Sequence, residues 1–194
     1  DKLKQNGNLI SAQLDNVLSA AIILYLYQHG FAGTAFFTAQ EEAGKSWRFV
    51  HEWFKKNKIS TDKLVVLDTS PYETREEADK QLVVLRNKDV NAKFKSPLLK
   101  ELKQFCKKNK ISFSCKDKFI IEKNKLREKE GLKPISIGST ELGRIVMESN
   151  GQIQGATLQI PTTGYHTVDE TASVESIKAI IFILSSFYIK TVNI

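Results

Sequence analysis

Leu64-Val65-Val66-Leu67-Asp68-Thr69-Ser70-Pro71 is the stretch whose reading decides the fold. Four apolar residues give way abruptly to Asp, Thr, Ser and Pro. A short apolar run bounded in this way reads as a buried strand, with Asp68–Pro71 as the turn that ends it. Moving toward the amino end, Ser46–Lys58 places Trp47, Val50 and Phe54 at helical spacing, and Thr34–Thr38 beside Gly33 reads as a central strand. Val17–Gln28 is apolar on nearly every face, which predicts a well-buried helix.

Toward the carboxyl end, the acidic stretch Glu73–Asp79 reads as an exposed segment and Leu82–Leu85 as a strand. Ser96-Pro97 opens a helix with a capping Ser and Pro at its first position; its basic end, Cys106–Lys110, suits a helix carboxyl terminus. Ile111–Cys115 alternates like a strand, and the charge-rich Lys116–Lys133 receives no element. Ser139–Met147 reads as a helix opened by Ser139 or Thr140, Gly155–Ile160 as a strand stopped by Pro161, and Val174–Tyr188 as a helix behind polar Asp169-Glu170-Thr171. Strands and helices alternating at these lengths predict an α/β protein with a largely parallel sheet.

The chain has 194 residues, 41% hydrophobic and 26% charged, which suits one sizeable core in a single domain and excludes disorder and collagen. Its two cysteines, Cys106 and Cys115, lack zinc-finger company and read as free thiols of a reducing compartment, which points to the cytoplasm. The longest apolar stretches are too short to span a bilayer, and the first residues lack the apolar run of a secretory signal. The net charge of +7 is local: Lys88–Lys133 holds fifteen Lys and Arg against six Asp and Glu. That excess is nearly all Lys, without the Arg and aromatics of base readout, so it reads as a solvated surface and not as a nucleic-acid site.

The informative residues stand just after the apolar runs. Glu41-Glu42 follows Thr34–Thr38, Asp68 follows Leu64–Leu67, and His166 follows Gly155–Ile160, while Asp15 precedes the first helix. In an open α/β sheet, functional groups gather outside the carboxyl ends of strands. Each residue alone has an ordinary explanation: Asp15 as a helix cap, Asp68 as an Asx turn, Glu41-Glu42 as an exposed turn, His166 as a hydrogen-bonded structural group beside Tyr165. Two Asp, a Glu pair and a late His, all at element boundaries, together suit a hydrolytic metal site.

The strings Ser11-Ala-Gln-Leu-Asp15-Asn16, Thr38-Ala-Gln-Glu41-Glu42-Ala-Gly44, Val65-Val-Leu-Asp68-Thr, Gly138-Ser-Thr-Glu141-Leu-Gly143 and Ile160-Pro-Thr-Thr-Gly-Tyr-His166-Thr-Val-Asp-Glu170 occur in a recognisable order. The chain resembles the dinuclear metallo-aminopeptidases of the glutamyl and tetrahedral aminopeptidase family, related to the zinc carboxypeptidase and deacylase catalytic domains. The resemblance implies a three-layer α/β/α catalytic domain with a mostly parallel mixed sheet. It also implies two divalent ions, zinc or alternatively cobalt, about 3.5–4 Å apart. Carried over by residue, Asp15 bridges the metals, Glu42 and His166 complete one site, Asp68 binds the other, and Glu41 is the general base. Glu170 would orient His166 or shape the pocket, and the Thr140-Glu141 loop would contact substrate.

The same family carries a His-x-Asp ligand setting upstream of Asp15, and residues 1–14 hold no His. Its small inserted β domain has no counterpart here either. Residues 1–194 are therefore expected to be one catalytic-type domain corresponding to the carboxy-terminal portion of such an enzyme. Ser139-Thr140-Glu141-Leu142 replaces the family's Gly-Thr-Asp-Ala, and Thr163 stands where an Arg is usual, which changes how a substrate end is held. The expected partners are short peptides, with no nucleic acid and no membrane. Relatives assemble into large shells, so a homo-oligomer is an expectation, although the insert that mediates assembly is missing. The expected function is metal-dependent release of amino-terminal residues from peptides. The alternative is an impaired relative that keeps a partial metal site and a peptide-binding or assembly role.

Overall fold

The computed structural model describes residues 2–189. In chain order it contains β1 (Lys4–Asn6), β2 (Leu9–Ala12), α1 (Val17–Gln28), α2 (Trp47–Lys56), β3 (Thr61–Pro71), α3 (Arg75–Asp79) and β4 (Val83–Leu85). There follow α4 (Pro97–Lys108), β5 (Phe113–Cys115), α5 (Lys116–Lys129), α6 (Glu141–Glu148), β6 (Ile153–Thr163), β7 (Glu170–Ser173) and α7 (Val174–Tyr188). The strands form one mixed sheet in the order β1-β2-β7-β6-β4-β5, with β3 paired to β6. The longest pairing, β3 with β6, is parallel, as is β4 with β5; β1–β2, β2–β7, β6–β7 and β4–β6 are antiparallel.

Alternation along the strands divides the core between two faces. Val83 and Leu85 of β4 and Ala156, Leu158 and Ile160 of β6 pack with Leu26 of α1, Leu102 of α4 and Ile183 of α7. Val84 turns to the other face, to Tyr72, Ala78 of α3 and Phe119 of α5. Val50 and Phe54 of α2 pack against Ile145 of α6 and Ile153. This is the expected α/β layered arrangement around a mixed sheet.

Local chemistry sets the helix starts. Ser96 Oγ accepts from Leu98 N–H at 3.0 Å ahead of Pro97, and Ser173 Oγ accepts from Glu175 N–H at 3.2 Å. Thr140 Oγ1 accepts from Gly143 N–H at 3.1 Å, while Asp89 accepts from both the amide and the hydroxyl of Thr140 at 2.8 Å. That buried carboxylate fixes the start of α6 and the Glu141 that follows.

Several expectations change. Thr34–Thr38 is not a strand: it runs irregularly and packs Phe36 edge-on to Trp53 at 5.1 Å, since among the described residues no neighbouring strand pairs with it. Asp68–Pro71 is no turn, because β3 continues through Pro71 alongside β6. Tyr72 N–H bonds to Thr162 C=O at 2.8 Å, so from Leu64 onward, beyond the register shift that follows Thr61, even-numbered residues of both strands make this ladder. The missing N–H of Pro71 and of Pro161 therefore points away from it, and neither proline ends its strand. Glu73–Asp79 contains α3, capped by Thr74, with Ala78 fully buried. Lys116–Lys133 contains α5, which Asn124 ties to the main chain of Ile135 through two 2.8 Å bonds. The short strands β1 and β7 carry too few apolar residues to stand out in the sequence, and β2, Leu9-Ile10-Ser11-Ala12, is too short to.

Lys116 is buried, bonds to Pro71 C=O, and lies 3.5 Å from the Tyr72 ring centroid. Burial, with the nearby Arg86 charge, pushes its pKa down to about 7 from 10.5. Between these values the unfolded chain binds the extra proton, so this residue makes stability rise with pH from about 7 to about 10. Below pH 7 the full cost of the buried charge is present. Lys116→Met is expected to stabilise the protein at pH 6.5 by about 2 kcal/mol, a gain that shrinks by pH 9.5. Urea unfolding at the two pH values measures it; an equal effect at both would rule out a buried ammonium.

Candidate metal centre

Asp15 sits between β2 and α1, but it does not cap the helix. The capping position is Asn16, with no side-chain capping bond, and Asp15 turns away to meet groups from two distant loops. Ligand atoms of Asp15, Glu42 and His166 all lie within 4.8 Å of one another. His166 Nε2 is 3.0 Å from Glu42 Oε1 and 3.5 Å from Asp15 Oδ2. The chain thus brings together residues separated by more than a hundred positions.

Glu41 and Glu42 stand on a tight turn in which Gly44 N–H bonds to Glu41 C=O at 2.6 Å and Gln40 adopts a left-handed φ of 64°. His166 is also left-handed, at φ 59°, an uncommon conformation that costs backbone energy and is found where a loop must aim a functional group. Tyr165 stacks on its ring, centroids 3.7 Å apart. The loop carrying His166 leads straight into β7.

Asp68 lies within β3, four residues beyond Leu64. Its Oδ1 accepts from Thr69 N–H at 2.8 Å, and its Oδ2 accepts from Gln159 Nε2 at 3.3 Å. Gln159 in turn accepts from Arg86 Nε at 3.0 Å, so a buried polar chain runs from Arg86 through Gln159 to Asp68. Burial and the charges of Asp15 and Glu41 raise the Asp68 pKa to about 8. Burial raises Asp15 too, with Glu170 and Glu42 adding repulsion and His166 opposing it. Glu41 is raised by withdrawal from water and by the charges of Glu141, Glu42 and Asp15. The result is a crowd of carboxylates with little positive charge among them.

Sequence reading missed Gln159 and Arg86. The one available signal was a polar residue at alternate positions, Thr157 and Gln159, inside an otherwise apolar strand. Glu170 is fully buried, and its partner is Asp15: Oε2 accepts from the Asp15 main-chain N–H at 3.0 Å. It therefore steadies the Asp15 backbone instead of holding the imidazole of His166. Glu141 flanks the site from the start of α6, its carboxyl raised by burial. A cavity of about 850 Å³ lies beside the cluster, and Asp15, Glu41 and Glu42 are among the residues that line it.

Among the described residues, no helix is long and apolar enough to cross a membrane. No curated protein matches the chain. Solved structures do. An aminopeptidase from the archaeon Desulfurococcus kamchatkensis superposes with a TM-score of 0.70 at 15% identity, covering 96% of this chain and 51% of its own. A TET aminopeptidase from a marine-sediment Thaumarchaeota archaeon gives 0.69 at 17% identity, covering 98% and 51%. The TET1 peptidase of Pyrococcus horikoshii, which can assemble into a tetrahedron or a large octahedral shell, gives 0.65 at 18%, covering 96% and 52%. At these identities the likeness is one of fold, and the chain spans about half the length of these relatives. The family model described as M42 glutamyl aminopeptidase matches residues 2–124, well over half of the sequence. The chain belongs to the M42 glutamyl aminopeptidase family.

Proposed function

We infer that residues 1–194 act as one catalytic-type domain of a metal-dependent aminopeptidase that removes amino-terminal residues from short peptides. The observation that carries this reading is the convergence of Asp15, Glu42 and His166 on one point. Two carboxylate oxygens and an imidazole nitrogen make a donor set suited to zinc or cobalt. The crowded carboxylates also fit a cation, because their mutual repulsion falls once positive charge sits among them.

In the proposed centre Asp15, Glu42 and His166 would hold one cation, and Asp68 together with Asp15 would hold the second. Bound there, two divalent ions supply the Lewis acidity that polarises a peptide carbonyl. Glu41 accepts the proton of the attacking water and hands it to the departing amine. Adjacent positions on a turn send their side chains in different directions, so Glu42 can face the metals while Glu41 faces the water. Glu170 holds the Asp15 main chain, and Gln159 fixes the Asp68 carboxylate through its 3.3 Å bond. Tyr165 braces the His166 ring. Assembly into a homo-oligomer belongs to the same reading, in line with the shells formed by the Pyrococcus relative.

Metal analysis of the full gene product tests the centre. About two equivalents of zinc or cobalt per chain, with hydrolysis of leucine p-nitroanilide, are expected, and Asp15→Asn should lower both sharply. One equivalent or none, without hydrolysis, would favour an impaired relative that binds peptides or serves assembly.

A further inference from the structure

Arg86 follows β4 directly and is only 6% exposed. Its guanidinium reaches two places at once. Nε donates to Gln159 Oε1 of β6 at 3.0 Å, and Nη1 donates to the main-chain carbonyl of Ile137, in the loop ahead of α6. From the first contact the bonds continue to Asp68. An arginine carries only donors, so the Gln159 carbonyl faces it and the amide NH2 faces the other way. That NH2 is committed to two acceptors, Thr69 C=O at 3.0 Å and Asp68 Oδ2 at 3.3 Å. Gln159 is 2% exposed, so solvent does not readily replace a lost partner. Without Arg86 the buried Gln159 carbonyl has no donor, and the amide can find one only by turning away from Asp68.

The second contact belongs to a series in which Arg86–Asn91 carries Ile137–Thr140 bond by bond. Val90 N–H donates to Gly138 C=O at 3.0 Å, and Asn91 Nδ2 donates to Ser139 Oγ at 2.8 Å. Asp89 Oδ2 accepts from the amide and the hydroxyl of Thr140, both at 2.8 Å. Gly138 is left-handed at φ 79°, and a Cβ there would meet the Arg86 guanidinium nitrogens at 3.7 and 3.8 Å, so the loop lies against that side chain. The loop ends at Glu141, which lines the same cavity as Asp15, Glu41 and Glu42. Among the described residues, Arg86 is the one side chain of this series that also bonds to a strand.

Resting on the reading of Asp68 as a ligand, we propose that Arg86 is a positioning residue: through Gln159 it holds the Asp68 carboxylate for the second cation, and through Ile137 it holds the loop that presents Glu141. One buried guanidinium thus sets the metal position and the loop together. It acts through the two groups it holds and not on the reacting atoms.

Zinc titration of the metal-free full gene product, together with NMR of the Gln159 side-chain amide, tests this. The position with three donors, Asp15, Glu42 and His166, fills first and serves as the internal control. Arg86→Met and Gln159→Leu are each expected to weaken the second equivalent by about 10- to 100-fold and to leave the first unchanged. The double variant should be no weaker than Gln159→Leu alone, because both changes break one chain of bonds. No loss in Arg86→Met, equal loss at both equivalents, or losses that multiply in the double variant would each overturn the proposal. Arg86→Lys keeps the buried charge without the planar fork, so it serves if Arg86→Met does not fold, and the same selective loss is expected of it.

The NMR readout needs no metal. In the metal-free protein the Gln159 NH2 protons are expected to exchange with solvent at least about 10-fold more slowly in the wild type than in the Arg86 variants, and equal exchange overturns the proposal. The Val90 amide, bonded to Gly138, should exchange about 10-fold faster in the Arg86 variants and not in Gln159→Leu. Wild-type protein that binds no second equivalent while showing these differences overturns the ligand role of Asp68 and keeps Arg86 as the brace of its carboxylate.

Discussion

Glu41→Gln in the full gene product is expected to reduce kcat for peptide hydrolysis by about a thousandfold while leaving metal content unchanged. The amide keeps the size and much of the hydrogen bonding of the carboxylate, but it cannot take a proton from water. Glu42 and His166, which meet at 3.0 Å, are left in place by this change. The pairing of results is what distinguishes the role. Loss of metal together with activity would make Glu41 a ligand, and full activity would remove it from the mechanism. Asp15→Asn is the contrasting case, because it alters a residue that the proposal assigns to holding metal.

The largest expected structural effect comes from Gly155→Ala. Gly155 pairs with Leu64 across the β3–β6 ladder, and a Cβ at position 155 would stand 1.8 Å from Leu64 O and 2.7 Å from its carbonyl carbon. These are main-chain atoms of a paired strand, so no side-chain rotation relieves the clash. The two strands must separate or shift. A cost of roughly 3 kcal/mol is expected, lowering the melting temperature by about 6–12 °C. Because β3 carries Asp68 four residues further on, the same substitution should also weaken metal binding at the second position. Thermal unfolding and metal titration check the two effects; an unchanged melting temperature would mean that β3 and β6 are not packed this closely.

The basic excess between Lys88 and Lys133 illustrates how burial sorts residues that look alike in a sequence. Most of these lysines are exposed, as a solvated surface requires, yet Lys116 is buried against Tyr72 and Lys123 pairs with Glu73 and Glu77 at 2.7 and 3.1 Å. Similarly, Cys106 is buried within the core and its thiol is raised to about 11, which leaves it unreactive. Cys115 is a free thiol as well.

The amino-acid sequence by itself determined most of the alternation of helices and apolar strands, the caps at Ser96 and Thr140, and the set of acids and imidazole at element boundaries; it misjudged Val17–Gln28, which is a helix but not a well-buried one, since only Ser19, Ile22 and Leu26 are buried while Val17, Leu24, Tyr25 and Tyr27 are exposed. Those features are local: helix periodicity, a capping hydroxyl and a run of apolar residues act over a few positions. Only the tertiary structure decided that Thr34–Thr38 lacks a strand partner, that Pro71 and Pro161 are tolerated within strands, and that Lys4–Asn6, Leu9–Ala12 and Glu170–Ser173 become strands. Strand formation is settled by hydrogen bonds to a distant neighbour, so short or polar segments with a weak local signal are recruited and an apolar one without a neighbour is not. The same holds for the roles of Glu170 and Gln159. Their attachment to Asp15 and Asp68 depends on β7 lying beside β2 and β6 beside β3, contacts across 155 and 91 positions that no short window of sequence contains.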